Sequence, residues 1–231
     1  MPASGIMHLW TQGDAMTRAV AALLIAMSVA SWSVMAMKAV ELAALRRRAV
    51  FARAGFWRAS AMRESMPRLG RPGSPFFELA AAGQRALTHH ASERAPRIDL
   101  DDWMQRSLRA SIGESAVRLQ RGLGVLASIA STAPFVGLLG TVWGIYHALL
   151  SLGAGGDASL EHVAGPVGEA LVMTALGLCV AIPAVLGHNA FARLARDVVA
   201  QLNRFAFALH AQLLSASAPH ADAELNDPVR P

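Results

Sequence analysis

The chain of 231 residues is poor in aromatic side chains, 6% in all, with a single tyrosine and a single cysteine. One cysteine excludes an internal disulfide, and Cys179, inside an apolar run, reads as a small packed residue. Strand-like alternation is missing over any useful length, which excludes a β-fold and predicts a nearly all-helical protein. Charge is scarce too, at 16% of residues, and unevenly placed. Of 21 Lys and Arg, 16 lie between Lys38 and Arg121, and none lies between Gly122 and Ala192. What fills the gap is apolar. The chain is 54% hydrophobic with a mean hydropathy of +0.36, which suits a membrane protein better than a soluble domain. The net charge of +5 and pI near 10.8 raise nucleic acid as a partner. The clustering of the basic residues fits cytoplasmic segments of a membrane protein instead, so no nucleic acid is expected.

Residues 1–18 form a short, weakly polar start. Residues 19–37 are uncharged and flanked by Arg18 and Lys38, long enough for a first membrane span. The heavier basic flank lies after this run, at Lys38 and Arg46 to Arg48, which argues against a cleaved signal peptide. By the positive-inside rule the N-terminus is outside and residues 38–121 are cytoplasmic. Within that region, residues 38–63 continue the helix. Pro67, Gly70, Pro72, Gly73 and Pro75 mark a turn. Residues 76–91 make another helix, in which Phe76, Phe77, Leu79 and Leu87 are packing residues. Its adjacent His89 and His90 point about 100° apart on a helix and have no further ligand nearby, so no metal site is expected. Residues 92–98 form a loop, and Asp99 with Asp102 resembles an N-cap and a first-turn acid. From there one uninterrupted helix is expected to run into the second span, residues 122–152. Residues 153–162, with acids but no Lys or Arg, form an outer loop. The third span covers residues 163–187. Residues 188–214 carry Phe191, Leu194, Val198, Leu202, Phe205, Leu209 and Leu213 at three- and four-residue steps, an amphipathic cytoplasmic helix. Residues 215–231 read as a disordered tail. The expected fold is an all-α membrane protein with three transmembrane helices, long cytoplasmic helical extensions and the N-terminus outside.

The two later spans carry the chemistry. Ala133, Gly137, Gly140, Thr141 and Gly144 recur at helical spacing in one, and Ala170, Thr174, Gly177 and Ala181 in the other. Small stripes let helix backbones approach closely, and here they are expected to seal a homo-oligomer. Pro134 and Pro183 read as helix breaks. The third span holds one acid, Glu169, with no Lys or Arg to neutralise it. An ionisable group at membrane depth is costly and marks a functional site. Thr141 and Thr174 should lie at similar depth, with Glu169 about 7 Å nearer the outside. Together they can line a wet, polar path. The bland alternative for each Thr is a hydroxyl bonded to its own helix carbonyl.

The runs APFVGLLGTVWG (133–144) and GPVGEALVMTALGLCVAIPAVLGHNAFAR (165–193) resemble the ExbB/TolQ/MotA family of bacterial proton-channel proteins, and its ExbB branch most. The resemblance covers about a quarter of the chain at motif level and all three spans in layout. Tyr146, His147, Cys179 and His188 depart from the family pattern; Glu169, Thr141 and Thr174 match its pore-lining polar residues. The resemblance implies a homopentamer in the bacterial inner membrane whose pore holds the single helices of an ExbD-like partner. It implies that proton flow drives a TonB-like protein that energises outer-membrane uptake of siderophores or vitamin B12. It implies no cofactor. A TolQ-type subunit of the Tol-Pal envelope system and a non-conducting membrane scaffold are the alternatives. An intramembrane hydrolase would have to use Ser128 or Ser131 with His147 or His188, and no motif supports that.

Overall fold

The computed structural model describes residues 14–55, 66–92, 99–155 and 161–217, and these are almost entirely helical. Helix α1 spans Ala15–Gly55, α2 Pro75–Ser92, α3 Leu100–Gln120, α4 Leu123–Gly155 and α5 Glu161–Ser217, with a short 3-10 turn at Met66–Leu69. Three stretches are long and apolar enough to cross a membrane: Ala15–Arg47, Leu100–Leu150 and Ala164–Ser215. The chain divides into two compact units, one of residues 1–40 and 121–193, the other of residues 41–120 and 194–231.

Local chemistry sets the helix ends. Asp14 caps α1, its Oδ1 accepting from the Ala15 amide at 2.7 Å. Pro75 opens α2 at a position where a missing N–H costs nothing. Asp99 stands just before α3 as expected, with Asp101 and Asp102 in the first turn. The helix expected to run unbroken into the second span does not. It ends at Gln120, and Gly122, at φ +82°, turns the chain before α4 begins. That region of backbone space favours glycine, and a Cβ on Gly122 would come into ordinary contact with Val34 and the Lys38 stem. Neither Pro134 nor Pro183 breaks its helix; α4 and α5 run through them. Each proline is preceded or followed by a wholly buried alanine, Ala133 or Ala184, so packing holds the helix where one hydrogen bond is missing. The helices extend into the expected 153–162 loop, α4 reaching Gly155 and α5 starting at Glu161. Helix α5 then continues without interruption to Ser217. The predicted tail beyond residue 217, the start before residue 14, residues 56–63 of the expected first helix and most of the 92–98 loop lie outside the described residues.

In the first unit, Val20 and Leu24 of α1 close a core with Ile129 and Ala133 of α4 and Val180, Ala181 and Ala184 of α5. Few side chains in it are large, so the helices sit close. In the second unit, Phe76, Leu79, Leu108, Leu202 and Leu209 are buried, and Phe76 meets Phe205 edge-on at 5.8 Å. Leu202, Leu209 and Leu213 sit on the predicted amphipathic stripe of α5, with Leu209 and Leu213 against Gly83 of α2. His210 Nε2 lies 2.8 Å from the Asp101 carboxylate. The Arg118 guanidinium donates to the Gly73 carbonyl at 2.8 Å, fixing the turn before α2.

Candidate functional site

The small stripes of α4 and α5 face each other within one chain. A Cβ placed on Gly177 would lie 2.7 Å from the Ala133 carbonyl oxygen and 3.1 Å from the Gly137 Cα. One placed on Gly137 would meet the Met173 carbonyl at 2.7 Å and the Thr174 Cα at 3.1 Å. Gly140 abuts Met173 and Val20, and a Cβ on Gly144 would sit 2.8 Å from that of Ala170. Antiparallel backbones therefore touch over three turns, and Ala170 and Ala181, both buried, extend the contact. The expectation that these stripes seal contacts between copies is corrected: their close approach is already used inside the subunit.

This register fixes the heights of the polar residues. Gly137 lies against Thr174 and Gly140 against Met173, so Thr141 and Thr174 stand within about 5 Å of one level. Both belong to the seam. Thr141 is 5% exposed, and its hydroxyl donates to the Leu138 carbonyl at 2.7 Å, which is the bland outcome for that residue. Thr174 is half-buried. Glu169, also half-buried, lies five residues from Thr174 toward the α4–α5 connection, about 7 Å along the axis. It is not on the seam. It precedes Ala170 by one residue, about 100° round the helix, and aligns with Met173, Leu176 and Val180. Leu176 and Val180 pack with Val20 and Leu24, so Glu169 belongs to the side of α5 that faces α1. The sequence places the acid and the two hydroxyls at nearby depths; the structure puts the hydroxyls in the seam and the acid on the α1 side.

Three polar features escaped the sequence reading. Ser31 is 1% exposed, and its hydroxyl has no hydrogen-bond partner among the described residues. Its spacing from Val20, Leu24 and Met27 would have marked it as inward-facing. His188 Nδ1 lies 2.9 Å from the Leu123 carbonyl and ties α5 to the start of α4, beside the Gly122 turn. Asp14 accepts from the Trp143 indole at 3.1 Å and lies 3.6 Å from His147 Nε2. The Trp143 hydrogen bond first, then the Ala15 amide, hold the Asp14 carboxyl below the usual carboxylate range, with the His147 and Arg18 charges adding to the effect. Of the serines considered as nucleophiles, Ser131 donates to the Ser128 carbonyl at 3.0 Å. The two candidate bases contact Asp14 and the Leu123 carbonyl.

Residues 79–204, more than half of the chain, match the MotA/TolQ/ExbB proton channel family. The chain belongs to this family. It is 40% identical to a biopolymer transport protein ExbB of Xanthomonas campestris over 220 residues, covering 89% of this chain and 87% of the relative. It is 34% identical to a biopolymer transport protein ExbB of Neisseria meningitidis over 211 residues, covering 90% and 96%. A Tol-Pal system protein TolQ of Pseudomonas aeruginosa is 35% identical over 138 residues, covering 58% and 59%. As a member of the MotA/TolQ/ExbB family the protein is a multi-pass channel subunit of the biopolymer-transport kind, not an enzyme. The matched region contains both faces of the α4–α5 seam and Glu169.

Proposed function

We propose that the protein is the proton-conducting stator subunit of a TonB-type system in the bacterial inner membrane, with Glu169 as the group that takes up and releases the proton. The observation that carries this reading is the placement of Glu169. It is the one acid in a pair of spans without Lys or Arg, half-buried, one residue off a seam where two backbones touch. A titratable group is costly at that depth, and an intramembrane acid marks a transport site. Thr141 and Thr174 would complete the polar path from the seam side. Each charge carried across is worth about 2.3 kcal/mol per 100 mV, which is the work available to move a partner.

The apolar surface of the spans supports an assembly. Phe135, Leu138, Val142, Leu171, Ile182 and Leu186 are each at least half exposed. Lipid covers part of such a surface, and a homopentamer surrounding the single helices of an ExbD-like partner would cover more. That partner would in turn act on a TonB-like protein for siderophore or vitamin B12 uptake. The likeness to TolQ over 138 residues keeps a Tol-Pal role as the second reading; identifying whether ExbD- and TonB-like or TolR- and TolA-like genes adjoin this one separates the two. Glu169→Gln keeps size and polarity and removes the titration. The reading expects an assembled complex with no energised uptake. A structural role for the acid expects Gln to serve and Ala to weaken assembly. Near-normal siderophore uptake in the Gln variant would remove the proton-carrier role.

A further inference from the structure

Asp14, Trp143 and His147 form a polar cluster between the start of α1 and the end of α4, at residues the family reading does not use. We propose that Asp14 and His147 form a proton-collecting site at the outer mouth, which loads Glu169 from the α1 side; this rests on Glu169 being the proton carrier. The first support is height. Gly144 and Ala170 are level at the seam. His147 lies three residues beyond Gly144 and Glu169 one residue beyond Ala170, both toward the α4–α5 loop, so the two differ by about 3 Å along the axis. The second is side. His147 shares a helix face with Gly140 and Trp143; Gly140 abuts Val20 of α1, and Trp143 bonds Asp14 of α1. Glu169 aligns with Leu176 and Val180, which pack on α1 as well. Three helices therefore bring two carboxyls and an imidazole to one side of the seam at one end of the spans.

The third support is the orientation of the ring. His147 Nδ1 faces the Trp143 carbonyl at 3.4 Å, and in the tautomer with its hydrogen on Nδ1 the ring donates there. A neutral ring then presents its Nε2 lone pair to the Asp14 carboxylate at 3.6 Å. A proton arriving at Nε2 replaces that opposition with an ion pair. Asp14 stays ionised to hold it, because the Trp143 indole N–H and the Ala15 amide fix both carboxylate oxygens. The side chains of His147 and Asp14 are 45% and 50% exposed within the subunit. The step balances simply. Imidazolium Nε2–H gives its proton through water to the Glu169 carboxylate, which becomes the neutral acid, and the neutral imidazole takes the next proton from outside. Among the described residues, Arg18 adds its charge at Asp14 from one turn along α1, and the Tyr146 ring meets that of His147 at 5.6 Å.

A collecting site matters most where bulk protons are scarce. Proton flux through the complex with its single-span partner, in proteoliposomes, is measured against outer pH for wild type, His147→Gln, Asp14→Asn and Glu169→Gln. Asn caps a helix as well as Asp and keeps an oxygen for Trp143, so Asp14→Asn removes the charge and little else. The inference expects both outer variants to lose flux several-fold at about pH 8 and to match wild type at about pH 5.5. A loss equal at all pH values, or wild-type flux in both variants throughout, overturns it. Glu169→Gln conducting like wild type sinks the carrier reading itself; a silent Glu169→Gln beside unaltered outer variants sinks the collecting site alone.

Discussion

Gly177→Ala and Gly168→Ala are the same substitution nine residues apart on α5, and the structure gives them opposite signs. A methyl on Gly177 enters backbone: the Ala133 carbonyl oxygen at 2.7 Å, the Gly137 Cα at 3.1 Å and the Gly137 nitrogen at 3.3 Å. None of these can rotate away. The helices must part by a few tenths of an ångström, which also loosens the Gly137–Thr174 and Gly144–Ala170 contacts along the same seam. Overpacking of this kind costs about 1–3 kcal/mol. A methyl on Gly168 meets nothing within 4 Å. There Ala should stabilise by about 0.5–1 kcal/mol through helix propensity alone. The propensity gain is common to both sites, so the difference between the two variants isolates the packing penalty, about 1–3 kcal/mol. Thermal unfolding of the purified protein in detergent measures it, with Gly177→Ala expected below wild type and Gly168→Ala at or above it. Equal stabilities for the two variants would refute the claim that the α4–α5 seam closes inside the subunit.

Glu169→Gln is expected to assemble and not to energise uptake, read as siderophore import beside oligomer yield. Asp14 carries a pH dependence: a carboxyl held below its ordinary value stabilises the fold above that value and ceases to as pH falls through the folded one. Trp143→Phe removes the largest cause and should move the Asp14 titration, followed by NMR, toward higher pH; an unmoved midpoint would count against the Trp143 hydrogen bond. For topology, single cysteines in a Cys179→Ala background should react from outside the cell at Gly153 and not at Thr88, both exposed positions. Labelling of the Thr88 site in intact cells would reverse the orientation.

The parts that were legible in the sequence are those governed by local periodicity. The absence of Lys and Arg over residues 122–192 exposed two spans, and the three- and four-residue steps of Leu202, Leu209 and Leu213 located the buried stripe of α5. Small-residue spacing found both faces of the seam, yet it could not say what each face meets. A stripe of glycines fits a helix of its own chain and one of a neighbouring copy equally well, and only the register of Gly177 on Gly137 decides it. Gly122 was visible as a glycine but not as a break, because its positive φ goes with a tertiary setting beside Val34 and Lys38, 88 and 84 residues earlier, that local periodicity does not carry. The prolines misled for the complementary reason: a missing donor predicts a break, and tight packing around Ala133 and Ala184 prevents it. Depth along the axis was readable for Glu169, Thr141 and Thr174, since it needs only a rise per residue. Direction was not, since it needs the third helix. With α1 in place, Glu169 and Thr174 stand on different faces of α5, so a path from Glu169 to the Thr141–Thr174 level must run round the helix as well as along it. That geometry favours a partner helix or water that bridges the two faces, and disfavours a straight wire of side chains through a seam where even a Cβ on Gly177 would come within 2.7 Å of the Ala133 carbonyl oxygen.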